Sequence, residues 1–486
     1  MGHKPISTKH ATFAGIVMTL GIVFGDIGTS PLYVMQSIIG GDSHVDESFI
    51  LGALSCIIFT LTLQTTIKYV IITLRADNHG EGGIFSLFAL IRRIFPWAFI
   101  FAIIGGTTLL ADGIITPAIT VVTAIEGLEL YSPGIQVIPI TIAIIVFLFL
   151  IQQFGTHKVG KSFGPIMFFW FLMLAVLGAL QISSYPAIIK AFNPYYAIHF
   201  LSNYPNAYVL LGAIFLCTTG AEALYSDLGH CGAANIRISW VYVKSTLIIN
   251  YLGQGAWVLN HQGFSGNPFF AIMPSWFLLI GVAMATLAAI IASQALISGS
   301  FTLISEAISL NFWPKLKKIY PSNVKGQVYI PAVNWFLLAG CILVILIFQK
   351  SSKMEAAYGL SITITMLMTT TLLLFYLYSK HIHFGLIVLV GLVYVFIESN
   401  FLIANLYKFI HGGWFTILLA TLFFLVMYGW YSARKIRNRY LTFDKLDDYM
   451  PVIAEMSKDN KIPKYSTHLA FLTHANRKDE IEKKII

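Results

Sequence analysis

Long apolar stretches separated by short polar ones dominate the chain, and their lengths limit what they can be. A helix that crosses a bilayer needs about 20 apolar residues. Such stretches run near 12–38, 49–73, 97–125, 135–154, 162–183 and 207–228. Others follow near 240–260, 274–306, 331–349, 354–378, 384–404 and 412–432. The pattern predicts about twelve transmembrane helices, with 83–95 as a short interfacial helix between the second and third. After Tyr440 the pattern gives way to mixed charge, as in Asp447-Asp448. From Ser466 to Thr473 the chain reads as a β-strand, and a lone strand is not stable. The expectation is a transmembrane domain over 1–433 and a cytoplasmic C-terminal segment over 434–486, truncated or paired with something outside this sequence.

Composition agrees. Charged residues are 11% of the 486 and AVILMFWYC residues 57%, with a mean hydropathy of +0.76. A soluble chain carries roughly 25% charge. The net charge of +9 is spread over loops and gathers on no amphipathic element, which excludes a nucleic-acid binder. Its placement is topological instead. With the N-terminus inside, the inner loops hold Lys4, Lys9, Arg75, Arg92, Arg93, Lys158, Lys161, Arg237, Lys244, Lys315, Lys317, Lys318, Lys325, Lys380 and the cluster Arg434 to Arg439. The outer loops hold only Lys190, Lys350, Lys353 and Lys408, so both termini are expected in the cytoplasm. Cys56, Cys217, Cys231 and Cys341 lack CxxC spacing, which argues against a disulfide framework or a zinc site. The first apolar stretch has no small-residue cleavage site and does not read as a signal peptide.

Two stretches are interrupted by residues that break helices. The first contains Gly25-Asp26-Ile27-Gly28-Thr29-Ser30-Pro31 and the sixth Thr218-Thr219-Gly220-Ala221-Glu222. If the core is two five-helix units, the breaks fall in the first helix of each, where transporters place their central site. Gly and Pro are also common in membrane helices without function. Here an acid accompanies both breaks.

Acids at bilayer depth mark function by default because they are costly there. The informative ones are Asp26, Asp112 and Glu222, with Glu126 nearer the outer end of the third stretch. Glycines around Asp26 let the backbone leave the helix and expose carbonyls, and Tyr33 adds a phenolic oxygen. Asp26 also reads as a cap on the second half-helix. Asp112, Thr116 and Thr120 recur at i, i+4 and i+8 on one stripe, where threonines also serve as glue between helices. Thr219 and Glu222 share a face if their turn is helical. Glu126 fits a vestibule charge, a helix-end contact or a coupling group equally well. This donor set is hard oxygen, which suits alkali cations rather than transition metals. Lys68 lies toward the inner end of the second stretch, and no cationic side chain is placed at a span centre. The thirteen histidines fall in loops, tails or near span ends, which counts against a haem protein.

The phrase Gly25 to Tyr33, GDIGTSPLY, resembles the signature of the KUP/HAK/KT potassium-uptake family. Asn78 to Gly83, Asp112 to Glu129 and Gly220 to His230 resemble its later motifs in the same order. The resemblance implies an all-α membrane protein of LeuT type in the amino acid–polyamine–organocation superfamily. Its inverted repeats would span about 12–183 and 207–378, with extra helices at about 384–432. It implies a potassium importer driven by protons through alternating access, with no cofactor beyond the transported ions. By motif, potassium binding maps onto Asp26, Tyr33, Asp112, Thr116, Thr120, Thr219 and Glu222. The ion itself would sit at Asp26, Tyr33, Thr116 and Thr219. Proton coupling maps onto Glu222, Asp112 and Asp26. A polyamine or amino-acid carrier on the same fold is the alternative, and the carboxylates weigh against amino acids. A channel would need filter loops that are absent, and no nucleophile–base pair supports an enzyme. The apolar last two helices suggest a homodimer in the plasma membrane. Some bacterial relatives bind cyclic di-AMP or another nucleotide on the tail, which the residues here do not show.

Overall fold

Where no water reaches the backbone, each crossing segment must close its own N–H and C=O bonds, and a helix does so. The structure is a computed structural model that describes residues 11–40, 45–132, 134–154, 157–264, 266–321, 328–440, 443–458 and 479–482. Helix α1 runs Phe13–Ile22 and resumes as Gly25–Leu32 after a bend of 66°. Then come α2 (Glu47–Arg75), α3 (Phe99–Glu126), α4 (Val137–Ile151), α5 (His157–Ser184) and α6 (Ala207–Ser226). The chain continues with α7 (Ala233–Asn260), α8 (Leu278–Ser309) and α9 (Pro331–Phe348). It ends its apolar part with α10 (Ser351–Ser379), α11 (Phe384–Tyr407) and α12 (Trp414–Arg439).

Each of the twelve expected stretches therefore holds a helix. Among the described residues nine are long and apolar enough to cross a membrane, and ten if the two parts of α1 count as one. The other two miss for different reasons: α4 has only 15 residues, and α7 has 28 but is too polar along its length. The segment expected at the interface does form a helix, Ile84–Ile91. It packs inside the protein, with Ile84, Phe85, Leu87 and Ile91 buried against α3, α8 and α10. Its close seat depends on two small residues of α3. A Cβ on Gly105 would lie 2.0 Å from Ile84 Cδ1, and one on Gly106 2.3 Å from Phe85 Cζ.

Helix α3 is the axis of the molecule, packed along α8, α9, α10 and α12. The second half of α2 is a π-helix, Leu61–Ile72, a wide turn often found at functional places. It buries Gln64, Lys68 and Tyr69. Beyond α12, β1 (Phe443–Lys445) pairs antiparallel with β2 (Glu480–Glu482), and the helix Leu446–Lys458 follows β1. The strand expected at Ser466–Thr473 lies outside the described residues.

The start of α2 carries a pH-dependent cap. Asp46 accepts from Phe49 N–H at 2.7 Å, Tyr204 Oη at 2.6 Å and Ser48 Oγ at 3.1 Å. Burial works against its charge, but the bonds from Tyr204, Phe49 and Ser48 outweigh it and hold the carboxyl below its ordinary value. A depressed folded value stabilises the protein above the unfolded value near pH 4, and the gain is lost as pH falls through the folded value. Tyr204→Phe should thus lower the melting temperature at pH 7, and the gap should close below about pH 4. Melting curves in detergent at both pH values check this; an equal gap at both would reject it.

Candidate functional site

The two helix breaks meet. In α6 a 3₁₀ turn, Leu216–Thr218, leads to an extended Thr219 (ψ 141°), and Gly220 then turns left-handed (φ 85°) before Ala221–Ser226. A Cβ on Gly220 would lie 2.7 Å from Ile27 N and 3.0 Å from Asp26 Cβ. Only glycine allows both that φ and that approach. The turn also corrects one expectation. Because the backbone is not helical between Thr219 and Glu222, they do not share a face. Thr219 Oγ1 lies 3.1 Å from Tyr33 Oη, whereas Glu222 points to α2 and α10.

A second correction concerns the backbone of α1. Three carbonyls that follow the bend already accept hydrogen bonds from side chains. Thr29 Oγ1 donates to Asp26 O (2.8 Å), Ser30 Oγ to Ile27 O (2.5 Å) and Trp170 Nε1 to Gly28 O (2.9 Å). Short hydroxyl side chains bond readily to nearby backbone, and here they satisfy it.

Between the breaks lies a cavity of about 10 Å³, about the size of one water. Asp26, Asp112 and Glu222 all line it, beside Gly220 and Thr365. Asp26 Oδ1 accepts from Tyr358 Oη at 3.0 Å, while its buried Oδ2 has no partner. Asp112 Oδ1 accepts from Thr116 Oγ1 at 2.9 Å, so these two form the stripe expected on α3. Thr120 continues the stripe, but its hydroxyl donates to Thr116 O (2.7 Å) and lies 3.5 Å from Ser293 Oγ. It lines helix packing rather than the cavity. Tyr33 and Thr219 form a neighbouring pair, joined to Asp26 through Tyr358, whose ring meets that of Tyr33 edge-on at 6.0 Å.

Glu126 stands apart from this centre. It accepts from Ser351 N–H at 2.9 Å and Ser351 Oγ at 2.5 Å, at the N-terminus of α10. The same carboxylate walls a larger cavity of about 480 Å³ with Gln36, Glu129 and Lys350. Of its three expected roles, the helix-end contact is the one its hydrogen bonds make.

Sequence reasoning missed several groups. Tyr69 Oη donates to Glu222 Oε1, and Thr369 Oγ1 to Glu222 Oε2 at 3.2 Å. Lys68 lies toward the end of α2, as expected, but is wholly buried there, and its Nζ is 2.6 Å from Glu398 Oε1. Glu398 and Glu355 are further buried acids, and Glu355 Oε1 has no partner. The signal for Glu398 was present: one acid in the apolar run from Phe384 to Tyr407. The partners were not legible, since Lys68 and Glu398 lie 330 residues apart.

Comparison with known proteins identifies the family. The chain is 58% identical over 493 residues to the probable potassium transport system protein Kup of Cytophaga hutchinsonii, covering all of this chain and 74% of that one. The corresponding protein of Flavobacterium psychrophilum is 56% identical over 493 residues, covering all of this chain and 75% of that one. Among solved structures, a mutant manganese transporter of Eremococcus coleocola covers 90% of this chain and 98% of its own, at 13% identity and a TM-score of 0.48. Residues 13–435 match the family model described as the K+ potassium transporter integral membrane domain. By that match and those identities, the chain belongs to the KUP/HAK/KT family of potassium transporters, multi-pass membrane proteins that are not enzymes.

Proposed function

We propose that this protein imports potassium together with protons by alternating access, with the ion held between the breaks of α1 and α6 against α3. The observation that carries the reading is the water-sized cavity lined by Asp26, Asp112 and Glu222, with no Lys or Arg in its lining. Uncompensated carboxylates in a membrane interior must gain cations or protons. A bare potassium ion is close to water in size, and oxygen donors suit it. A polyamine would not fit the same space, which ranks that alternative second.

Coupling makes energetic sense. One charge moving down 100 mV releases about 2.3 kcal/mol. A potassium ion and a proton entering together release about 4.6 kcal/mol, enough for roughly a thousandfold accumulation. With both termini cytoplasmic, the cavity walled by Glu126 would be the outer vestibule. Uptake into liposomes, with pH and potential set separately, tests the whole reading. Uptake that ignores a pH gradient at zero potential would reject the proton, and spermidine uptake would favour the alternative.

The neutral oxygens carry their own prediction. Tyr33→Phe, Thr116→Val and Thr219→Val each remove one hydroxyl and nearly keep the shape. Each should weaken apparent potassium affinity by roughly fivefold to tenfold, about 1–1.5 kcal/mol for one lost ligand or orienting hydrogen bond. Uptake titrations at limiting potassium check it; three variants with the parent's affinity would reject the assignment.

A further inference from the structure

Along α10 the positions Ser351, Glu355, Tyr358, Ile362, Thr365 and Thr369 recur at intervals of four and three and share one helical face. That face runs from the larger cavity to the centre. Ser351 bonds to Glu126 in the wall of the larger cavity, Tyr358 bonds to Asp26, Thr365 lines the central cavity and Thr369 bonds to Glu222. Glu355 is the acid of this face. It is 5% exposed, and its Oε1 has no hydrogen-bond partner. By helical rise it stands ~6 Å along the axis from Ser351 and ~4.5 Å from Tyr358. A bare carboxylate oxygen at such a place is costly to keep.

The helix Val34–Ile39, which continues α1, meets Glu355. Ser37 hydrogen-bonds its carboxylate, and Ser37 N–H donates to Tyr33 O at 2.9 Å, so Ser37 stands one turn from Tyr33. Beside it in sequence, Gln36 lines the larger cavity, and its buried Oε1 also has no partner. Two acceptor oxygens without donors therefore stand one turn away from Tyr33 and Tyr358, on the side of the larger cavity. A cation satisfies such oxygens directly. The charged groups that act on Glu355 are Lys408, just after α11, and Glu126. Among the described residues Lys408 makes no ion pair with it, so no ammonium occupies the free oxygen.

We propose that Glu355, with Ser37 and Gln36, forms a second potassium site, where the ion halts between the larger cavity and the Asp26 site. One carboxylate among neutral oxygens balances one positive charge, and hard oxygen donors suit an alkali cation. That role rests on the importer reading above, which makes the larger cavity the side of entry. The second site is the weaker of the two. Lys408 opposes a cation there, whereas no Lys or Arg lines the central cavity. It therefore governs how readily the central site is loaded from outside.

Glu355→Gln removes the charge and nearly keeps the shape. The external potassium concentration for half-maximal uptake into liposomes should rise roughly fivefold to tenfold, with kcat little changed. Potassium-dependent thermal protection, which reports the Asp26 site, should stay at the parent's value. Lys408→Met removes the opposing charge, and the same half-saturation should fall by roughly twofold to threefold. A Glu355 that merely balances Lys408 would lower kcat or the melting temperature in both variants without moving their half-saturations apart. If Glu355→Gln alone does not fold, Glu355→Gln/Lys408→Met removes both charges and should still half-saturate above the parent.

A second readout needs neither transport nor protons. Crystals of Asp26→Asn soaked in a thallium(I) salt should show an anomalous peak beside Glu355 Oε1, and those of Asp26→Asn/Glu355→Gln should show none. A half-saturation that stays at the parent's value in Glu355→Gln, or a thallium peak that persists without the Glu355 carboxylate, would overturn the second site. If the peak depends on Glu355 while liposomes of the parent take up no potassium, the site stands and the importer reading fails instead.

Discussion

Asp26→Asn should abolish potassium binding while leaving the protein folded. Asp26 Oδ2 is buried beside Gly220, faces the water-sized cavity and has no hydrogen-bond partner. Its sister oxygen accepts from Tyr358, a bond that an asparagine carbonyl can keep. Asp26 lies in the first turn of the resumed helix, where a carboxylate also complements the helix dipole, but among the described residues no backbone N–H bonds to its carboxylate. The substitution thus changes charge more than shape. A cation 4 Å from one carboxylate at an effective dielectric of 20 is held by about 4 kcal/mol. That corresponds to roughly a thousandfold in affinity. Calorimetry or potassium-dependent thermal protection of the purified variant measures it, with size-exclusion profiles as the check on folding. Binding within tenfold of the parent would move the ion away from Asp26.

What the sequence made legible follows from what can be local. Helix length and apolarity are local, so twelve helices could be placed within a few residues. The break in α6 was legible because Gly220 is a backbone instruction in itself, and that in α1 falls just before Gly25, whereas Gly28 and Pro31 lie inside the resumed helix. The stripe from Asp112 to Thr116 needed only helical periodicity. Contacts between distant segments were not legible. Tyr358 reaches Asp26 across 332 residues, and Tyr69 reaches Glu222 across 153. The carbonyls of α1 looked open because nothing local shows that Trp170 arrives from α5 to cover Gly28. Glu398 escaped notice for another reason. It lies in a helix outside the proposed repeats, and its ion-pair partner Lys68 is 330 residues away.

The second large effect concerns the carboxylate of the other broken helix. Glu222 Oε1 accepts from Tyr69 and Oε2 from Thr369, and both donors are hydroxyls that can also accept. A glutamine at this position can therefore keep both contacts, giving its amide hydrogens to one hydroxyl. Glu222→Gln mimics the protonated acid at nearly constant volume, and it removes one negative charge from the three that share the cavity. Three interacting carboxylates take up protons as a group, so fixing one in its neutral form withdraws the step that ties proton to potassium. At zero membrane potential an inward gradient of one pH unit supplies about 1.4 kcal/mol, or about a tenfold potassium gradient for one proton per ion. The parent should build that gradient in liposomes and Glu222→Gln should build none. Exchange of internal for external potassium should survive in the variant, because Asp26 and the hydroxyls of Tyr33, Thr116 and Thr219 are untouched. Loss of exchange as well would mean that Glu222 holds the ion itself. A variant that still concentrates potassium with the parent's pH dependence would make Glu222 structural, and Asp112, which accepts from Thr116 and lines the same cavity, would become the proton carrier.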